Sequence, residues 1–539
     1  MDKSKKALVI MFLVGIFMGA LDTAIISPAR TVMGNTLHIS ADASIWIITL
    51  YALIYAVSMP IIGKLADRKG LKSMFTVSVV LFGIGSLFSG LANFFGGFEM
   101  LLVARVIEAI GAGGMVPIAT AFIGGAFPPE KRGAALGMVG GMNGIATLIG
   151  PSLGSLILGA FGADRWGILF FINIPVVIVL IAVLLSKKIE KVEKPLKKMD
   201  FAGSIVSSLF IVSLMAFITS LNFVNLASSF ESVRSYPFLI LAVILLPILI
   251  FIESRAEDPI IHLKYFKNRG MVLVFIIAFL VGAGLMVVVF LPQFCSNVLR
   301  LKLGSGGYFV TLMALFSGFA APVGGKLVDK FSAKIVLLTG FACTIIGTLI
   351  LAFAVTSTLS AVALVIGLAF MGLGVGLTMG TPLNYFVQTS VPKEEIASAQ
   401  STLSLIRSLG IALSPNLLVG FIAQAGSNMQ GSLMAVLPHA QGMASSMSIK
   451  STSAMESAFQ NANVTTVFSV IKKYVVGAMP AQMQVGYSAQ LDKIKVTIET
   501  TYQTVMNNGF EKMFITLAII GGLAFIAALA MPKKIKQVA

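Results

Sequence analysis

Long apolar runs, separated by short polar segments, extend along nearly the whole chain. A helix needs about 20 apolar residues to cross the hydrocarbon core of a bilayer. Membrane β-barrels show short alternating segments instead, and these runs do not alternate. The pattern therefore predicts an all-α membrane protein with fourteen transmembrane helices. The predicted spans are 7–29, 44–62, 73–93, 99–123, 134–160, 166–186, 201–223, 236–252, 271–293, 305–325, 335–355, 359–388, 396–424 and 510–531.

The composition supports this class and orients the chain. Hydrophobic residues make up 57% of it and charged residues 11%, which is too apolar for a soluble protein. The net charge of +17 lies mostly in the loops on the side of the N-terminus, so we predict that both termini are cytoplasmic. We expect the basic pairs at 187–188, 197–198 and 533–534 to anchor against membrane lipids. Charges that flank spans in this way do not indicate nucleic-acid binding.

Sequence signatures of enzyme chemistry are absent. The two cysteines, Cys295 and Cys343, have no metal-binding or redox spacing, and the chain has only three histidines. It contains no G-x-x-x-x-G-K-[ST] nucleotide loop and no nucleophile elbow. We therefore expect no enzymatic activity and no cofactor, and an ion gradient as the source of energy. The abundance of lysine and the lack of an organelle signal favour a bacterial plasma membrane.

One loop pattern occurs twice. Residues 63–72, between spans 2 and 3, and residues 325–330, between spans 10 and 11, both read G-x-L-x-D-(R/K). Two parallel six-helix halves place these loops in equivalent positions. The first copy resembles the loop motif of the major facilitator superfamily at Gly63, Asp67, Arg68 and Gly70; in the second copy the aspartate is Asp329. The resemblance implies that this loop holds the halves together and gates the transport cycle.

Span 5 carries a second mark of that superfamily. Gly137, Gly150, Pro151 and Gly154 resemble the antiporter signature G-x8-G-x3-G-P-x2-G-G, with small residues in place of its two other glycines. A bare helix face beside a proline allows another backbone to approach closely. With fourteen spans, these motifs resemble the fourteen-helix drug:proton antiporter family. Such a resemblance implies multidrug efflux and antibiotic resistance.

The resemblance also implies a domain organisation. We predict a six-helix bundle over 1–186, a basic cytoplasmic linker over 187–200 and two inserted helices over 201–254. A C-terminal bundle follows over 255–424 and is completed by the last span and tail over 510–539. Between them, 425–509 is an extracellular loop in which the runs 454–477 and 484–506 have the spacing of a helical hairpin. It is either a surface insertion or the contact site of an extracellular partner.

Four ionisable residues lie inside predicted spans, where each costs several kcal/mol unless it is paired or wetted. Asp22 in span 1 is the leading candidate for a carboxylate that holds either a proton or a cationic substrate; the alternative is a fixed ion pair. Arg105 and Glu108 share one face of span 4, where Glu108 either titrates or only neutralises Arg105. Arg407 in span 13 is a candidate gate or counter-charge.

These residues predict a secondary transporter that exports small lipophilic or cationic drugs in exchange for protons by alternating access. A flippase or exporter of lipids or wall precursors, and a membrane receptor or scaffold that does not transport, remain alternatives. A set of polar residues in other spans is expected to line the transport cavity. These are Asn143, Asn384, Tyr385, Gln388, Gln400 and Asn416.

Overall fold

The computed structural model shows a bundle of long helices and, among the residues that it describes, no strand. The described residues are 3–532, except 40, 187–199, 222, 224–225, 234, 286, 299–305, 438–463, 465 and 478–480. Two predicted features lie almost wholly outside these residues, the linker 187–200 and the basic pairs at 187–188, 197–198 and 533–534. Much of the run 454–477 lies outside them as well. The all-α prediction is confirmed.

The first half of the molecule contains six long helices. They are α1 (Lys3–Thr36), α2 (Ala41–Lys69), α3 (Leu71–Leu91), α4 (Gly97–Ala126), α5 (Arg132–Phe161) and α6 (Asn173–Ser186). The inserted pair is α7 (Phe201–Ser220) and α8 (Tyr236–Arg255).

The second half follows with more interrupted helices, of which two are longer than any helix of the first half. They are α9 (Arg269–Leu285), α10 (Val287–Val298), α11 (Gly306–Lys330), α12 (Ala333–Leu349), α13 (Ala361–Met379), α14 (Thr381–Ser390), α15 (Ile396–Val436), α16 (Ala481–Lys493) and α17 (Lys495–Ala530).

The number of spans agrees with the sequence pattern. Thirteen of the described helical segments are long and apolar enough to cross a membrane. The predicted span 271–293 corresponds to the shorter α9 and to α10, which follows it after one residue. Several of these helices contain a proline and continue past it, as α5 does at Pro151.

Glycines set the closest helix contacts in the first half. A methyl group added at Gly85 of α3 would lie 2.3 Å from the backbone nitrogen of Glu108 in α4. One added at Gly111 of α4 would lie 2.4 Å from the backbone nitrogen of Phe82. The two backbones therefore touch, as small residues permit in membrane helices. This contact seals Glu108 inside the bundle.

We expect Gly85→Ala to destabilise the protein, because backbone atoms of α4 occupy the space that the new methyl group needs. Overpacking of this kind costs about 1–3 kcal/mol. The matched control is Gly522→Ala in α17, where an added methyl group meets no atom within 4 Å. Thermal unfolding of the purified variants in detergent should show a lowered midpoint for Gly85→Ala alone. Equal midpoints would contradict the close α3–α4 contact.

Two helices extend well beyond the spans predicted for them. α15 continues to Val436 and α17 begins at Lys495, whereas the predicted spans end at 424 and begin at 510. With 41 residues, α15 is about 60 Å long, roughly twice the hydrocarbon thickness. The segment predicted as an extracellular loop from 425 therefore begins as a continuation of α15. Apolar residues at helical spacing explain the extension, since Ala425, Met429 and Leu433 are all buried.

The protruding ends extend the apolar core of the second half. Buried side chains from α15, from the short helix Val467–Ile471, from α16 and from α17 belong to one continuous cluster with the outer part of the second half. These side chains include Leu433, Ile471, Leu491, Ile498 and Tyr502. The run 484–506, which has helical spacing, lies in α16 and the first turns of α17.

Candidate functional site

Asp22, Arg105 and Glu108 meet inside the first half. Nη1 of Arg105 lies 2.9 Å from Oδ2 of Asp22 and 2.8 Å from Oε2 of Glu108. The three residues are at most 2% exposed. α1 supplies Asp22, while α4 supplies the other two from one face, three residues apart. With all three groups ionised, two carboxylates share one guanidinium, and the cluster carries a net charge of −1.

Neutral side chains that the sequence analysis did not single out complete this acidic cluster. Nδ2 of Asn173 donates to Oδ1 of Asp22 at 3.1 Å and to the Ser86 hydroxyl at 2.9 Å. The Ser89 hydroxyl donates to Oε2 of Glu108 at 3.2 Å. The Arg105 guanidinium lies 3.8 Å from the centre of the Tyr51 ring, a cation–π contact. These contacts orient the charges, but they leave the net charge unchanged.

Several polar atoms of the cluster are buried without a hydrogen-bond partner. They are Oε1 of Glu108, Nε of Arg105 and the Tyr51 hydroxyl. A buried carboxylate oxygen without a donor is costly, and a proton on that carboxylate reduces the cost. The free oxygen of Glu108 is therefore suited to carry a proton while Arg105 stays paired with Asp22.

The span 5 motif packs against two different neighbours. A methyl group added at Gly150 would lie 2.4 Å from Cβ of Ala24, two residues from Asp22. One added at Gly137 would lie 2.8 Å from the carbonyl oxygen of Ala321 in α11 of the other half. Pro151 is exposed and Gly154 buried. α5 thus connects the surroundings of Asp22 to the interface between the halves.

The two G-x-L-x-D segments, predicted as loops, form the last turns of α2 and α11. They lie at one end of the bundle, here called the motif end, and each aspartate caps a helix of the opposite half. The Asp67 carboxylate accepts hydrogen bonds from the backbone nitrogens of Ala397 and Ser398, at 3.0 and 2.8 Å, at the start of α15. Asp329 accepts from the backbone nitrogens of Gly133 and Ala134, at 2.7 and 2.8 Å, at the start of α5. Negative charge at a helix N-terminus is favourable.

Two basic residues at the end of α2, Lys64 and Arg68, contact the segment that follows α8. Asp258 forms ion pairs with Lys64 and Arg68; Nη1 of Arg68 lies 2.6 Å from its Oδ2. Nζ of Lys64 also lies 3.3 Å from Nε2 of His262. Burial, with the Lys64 charge beside it, lowers the pKa of His262 to about 4. His262 is therefore neutral at pH 7 and accepts the hydrogen bond from Lys64. Gly70, with φ of +94°, begins the next helix.

The halves pack against each other along α5 and α11. Close α5–α11 contacts run from Gly133, beside Gly325, to Gly141, beside Pro322. One turn further, a methyl group added at Gly318 of α11 would lie 3.5 Å from Cγ1 of Ile145 in α5. Together with the two aspartate caps, these contacts hold the halves together at the motif end.

The polar residues predicted to line a cavity occupy separate places. Asn384 and Gln388 are buried near the motif end, where Nε2 of Gln388 lies 3.4 Å from the carbonyl oxygen of Ala121 in the other half. Nε2 of Gln400 donates to the carbonyl oxygen of Asn384 at 3.0 Å. Asn416 donates to the carbonyl oxygen of Thr219 in α7 at 2.7 Å. Asn143 and Tyr385 are half-buried, on α5 and α14.

No group of three or more His, Cys, Asp or Glu side chains within the described residues has a geometry that could hold a metal ion. An apolar cavity of about 40 Å³ lies inside the second half, among α9, α12, α13 and α17, away from the acidic cluster. It is far smaller than typical ligand pockets of roughly 300–1,000 Å³.

Comparison with known proteins agrees with this architecture. Residues 12–415 match the model of the Major Facilitator Superfamily. The chain is 32% identical over 537 residues to the uncharacterized MFS-type transporter YfiU of Bacillus subtilis, covering 98% of this chain and 97% of that one. It is 30% identical to multidrug resistance protein 3 of the same organism, covering 80% and 83%. The solved proton:xylose symporter XylE shares the fold, with a TM-score of 0.56 at 13% identity over 99% and 97% of the two chains.

Proposed function

Since the chain belongs to the Major Facilitator Superfamily, in the fourteen-helix branch with multidrug transporter relatives, we propose that this membrane transporter exports lipophilic cations in exchange for protons. One observation carries the proposal: two buried carboxylates share a single guanidinium in the first half. Such a cluster is neutral with one proton bound and carries a charge of −1 without it. A proton and a cationic substrate can therefore neutralise it in turn.

The motif-end contacts supply the other part of the cycle. With the motif end taken as cytoplasmic, as the distribution of positive charge predicts, the Asp67 and Asp329 caps hold the halves closed on the cytoplasmic side. Protons enter from outside and load the acidic cluster. Release of the Asp67 and Asp329 caps then opens the cytoplasmic side, where a substrate cation displaces the proton.

Proteoliposomes test this proposal directly. Purified protein is reconstituted, ethidium is added outside, and its uptake is followed with and without an outward-directed proton gradient. We expect uptake that depends on the gradient and that collapses when a protonophore is added. Uptake of equal rate without a gradient would contradict proton coupling. A complete absence of uptake for a whole panel of lipophilic cations would contradict the proposed substrate class.

Glu108→Gln should lower gradient-driven export, because the remaining Arg105–Asp22 pair, 2.9 Å apart, is neutral without a proton. The dependence of uptake on pH should flatten for the same reason. The measurement is initial ethidium uptake from pH 5.5 to 8.5, with Glu99→Gln at the start of α4 as the charge-matched control. A correctly folded Glu108→Gln protein with the wild-type rate and pH dependence would contradict the role of Glu108 in the exchange.

A further inference from the structure

Among the described residues, Arg407 has no carboxylate partner, unlike Arg105. It lies on α15, about three turns above the Asp67 cap, and its Nε and Nη2 are buried without a hydrogen-bond partner. Its third nitrogen, Nη1, is not among these buried atoms, and the residue as a whole is half-buried. Nη1 is therefore the atom of the guanidinium that a ligand can reach.

The backbone at Arg407 is fixed against α9. A methyl group added at Gly282 of α9 would lie 2.2 Å from the carbonyl oxygen of Arg407, and one at Gly410 would lie 2.1 Å from that of Phe279. The Ser414 hydroxyl also donates to the carbonyl oxygen of Ala283 on α9. Tyr55 of α2 packs into one apolar cluster with Leu405 and Leu409 of α15, the residues two positions before and after Arg407.

Two stacked rings connect Arg407 to the acidic cluster. Tyr55 and Tyr51 lie one turn apart on α2, with ring centres 6.0 Å apart and planes 10° from parallel. The Arg105 guanidinium also contacts the Tyr51 ring, 3.8 Å from its centre. The two tyrosines thus lie between the acidic cluster of the first half and Arg407 of the second half.

A buried guanidinium without an acceptor is costly, and a carboxylate is the group that matches its paired donors. We propose that Arg407 is an anion-binding subsite, and that the substrates include aromatic carboxylates whose ring packs against the half-buried Tyr55. Zwitterions that carry an amine as well place it at the acidic cluster. This inference rests on the proposed transport function and widens its substrate class from cations alone. The arrangement spans both halves, so the bound carboxylate moves with the second half during the cycle.

A matched pair of probes tests the subsite. Binding of 1-pyrenebutyrate and of 1-pyrenebutylamine, which share the ring system and differ in charge, is measured by fluorescence in phosphatidylcholine nanodiscs and corrected with empty discs. We expect Arg407→Gln to weaken binding of the carboxylate by at least about tenfold, a change of about 1.4 kcal/mol, and to leave that of the amine unchanged. Arg407→Lys should retain part of the carboxylate binding, and the exposed Arg255→Gln, as a control, should retain all of it.

Three outcomes would overturn the inference. The first is that wild-type protein does not bind the carboxylate. The second is that Arg407→Gln binds both probes as wild type does. The third is that phosphatidylglycerol in the discs competes with the carboxylate only when Arg407 is present, which would assign the residue to a lipid headgroup. Failure of the subsite leaves proton-coupled uptake of ethidium intact, whereas failure of the proposed function abolishes that uptake in wild type. The two failures are therefore distinguishable.

Discussion

Asp22→Asn should abolish proton-coupled export while leaving the protein folded. Asparagine keeps the shape of the side chain and an oxygen for the Asn173 amide, which donates to Asp22 at 3.1 Å. Arg105 retains one carboxylate, since Glu108 lies 2.8 Å from its Nη1. The remaining Arg105–Glu108 pair is neutral without a bound proton, so a substrate cation has no proton to displace. We expect gradient-driven ethidium uptake in proteoliposomes to fall to the level of empty vesicles.

The control for this variant is Asp164→Asn, which removes an exposed carboxylate near the start of the sixth predicted span. Its uptake should equal that of wild type. Melting in detergent separates a functional loss from a folding loss, because removing one partner of a buried pair costs about 3–5 kcal/mol when a charge is left unpaired. Asp22→Asn leaves no such charge. Normal coupled transport by this variant would contradict the coupling role of Asp22.

Asp67→Asn should open the motif end. The carboxylate accepts two backbone hydrogen bonds and a third from the Ser398 hydroxyl at 2.6 Å. Hydrogen bonds to charged groups contribute about 1.5–3 kcal/mol each, and the amide reproduces them poorly. We expect export to fall by about tenfold or more, because the population closed at the motif end decreases. Asp329→Asn, which releases the equivalent cap on α5, should have a similar effect.

Labelling detects this opening directly. Ser401 is fully buried, with its hydroxyl 2.0 Å from where a methyl group on Gly63 would lie. In a background with Cys295 and Cys343 replaced by serine, a cysteine introduced by Ser401→Cys should react slowly with a maleimide. Adding Asp67→Asn should accelerate the reaction, while Asp492→Asn, which breaks an exposed ion pair with Lys472, should not. Equal rates in all three proteins would contradict the role of the cap.

The sequence predicted the ionisable parts of the site because charge is conspicuous in an apolar span. Asp22, Arg105 and Glu108 were selected on that ground, and the structure brings them together. Tyr51 and Ser89 were not selected, since aromatic and hydroxyl residues occur throughout such helices and their spacing carries no signal. Asn173 was not selected either, because nothing within one helix reveals that its amide faces Asp22 on another.

Partners across the two halves were equally hidden. The repeated loops predicted equivalent positions for Asp67 and Asp329, but not that each caps a helix of the opposite half. Gln388 was selected as a polar residue expected in a cavity, whereas it lies buried against Ala121 between the halves. The full lengths of α15 and α17 could not be predicted from hydropathy, which falls after 424 and before 510 while the helices continue.

The central claim is that the acidic cluster exchanges a proton for a cationic substrate. The test uses purified wild-type protein in a weakly buffered detergent solution at mildly acidic pH, where the cluster holds a proton. It needs no membrane. Adding the cation tetraphenylphosphonium should release about one proton per protein molecule as it binds, and Asp22→Asn should release none. Binding of the cation to wild type without any proton release would contradict the account.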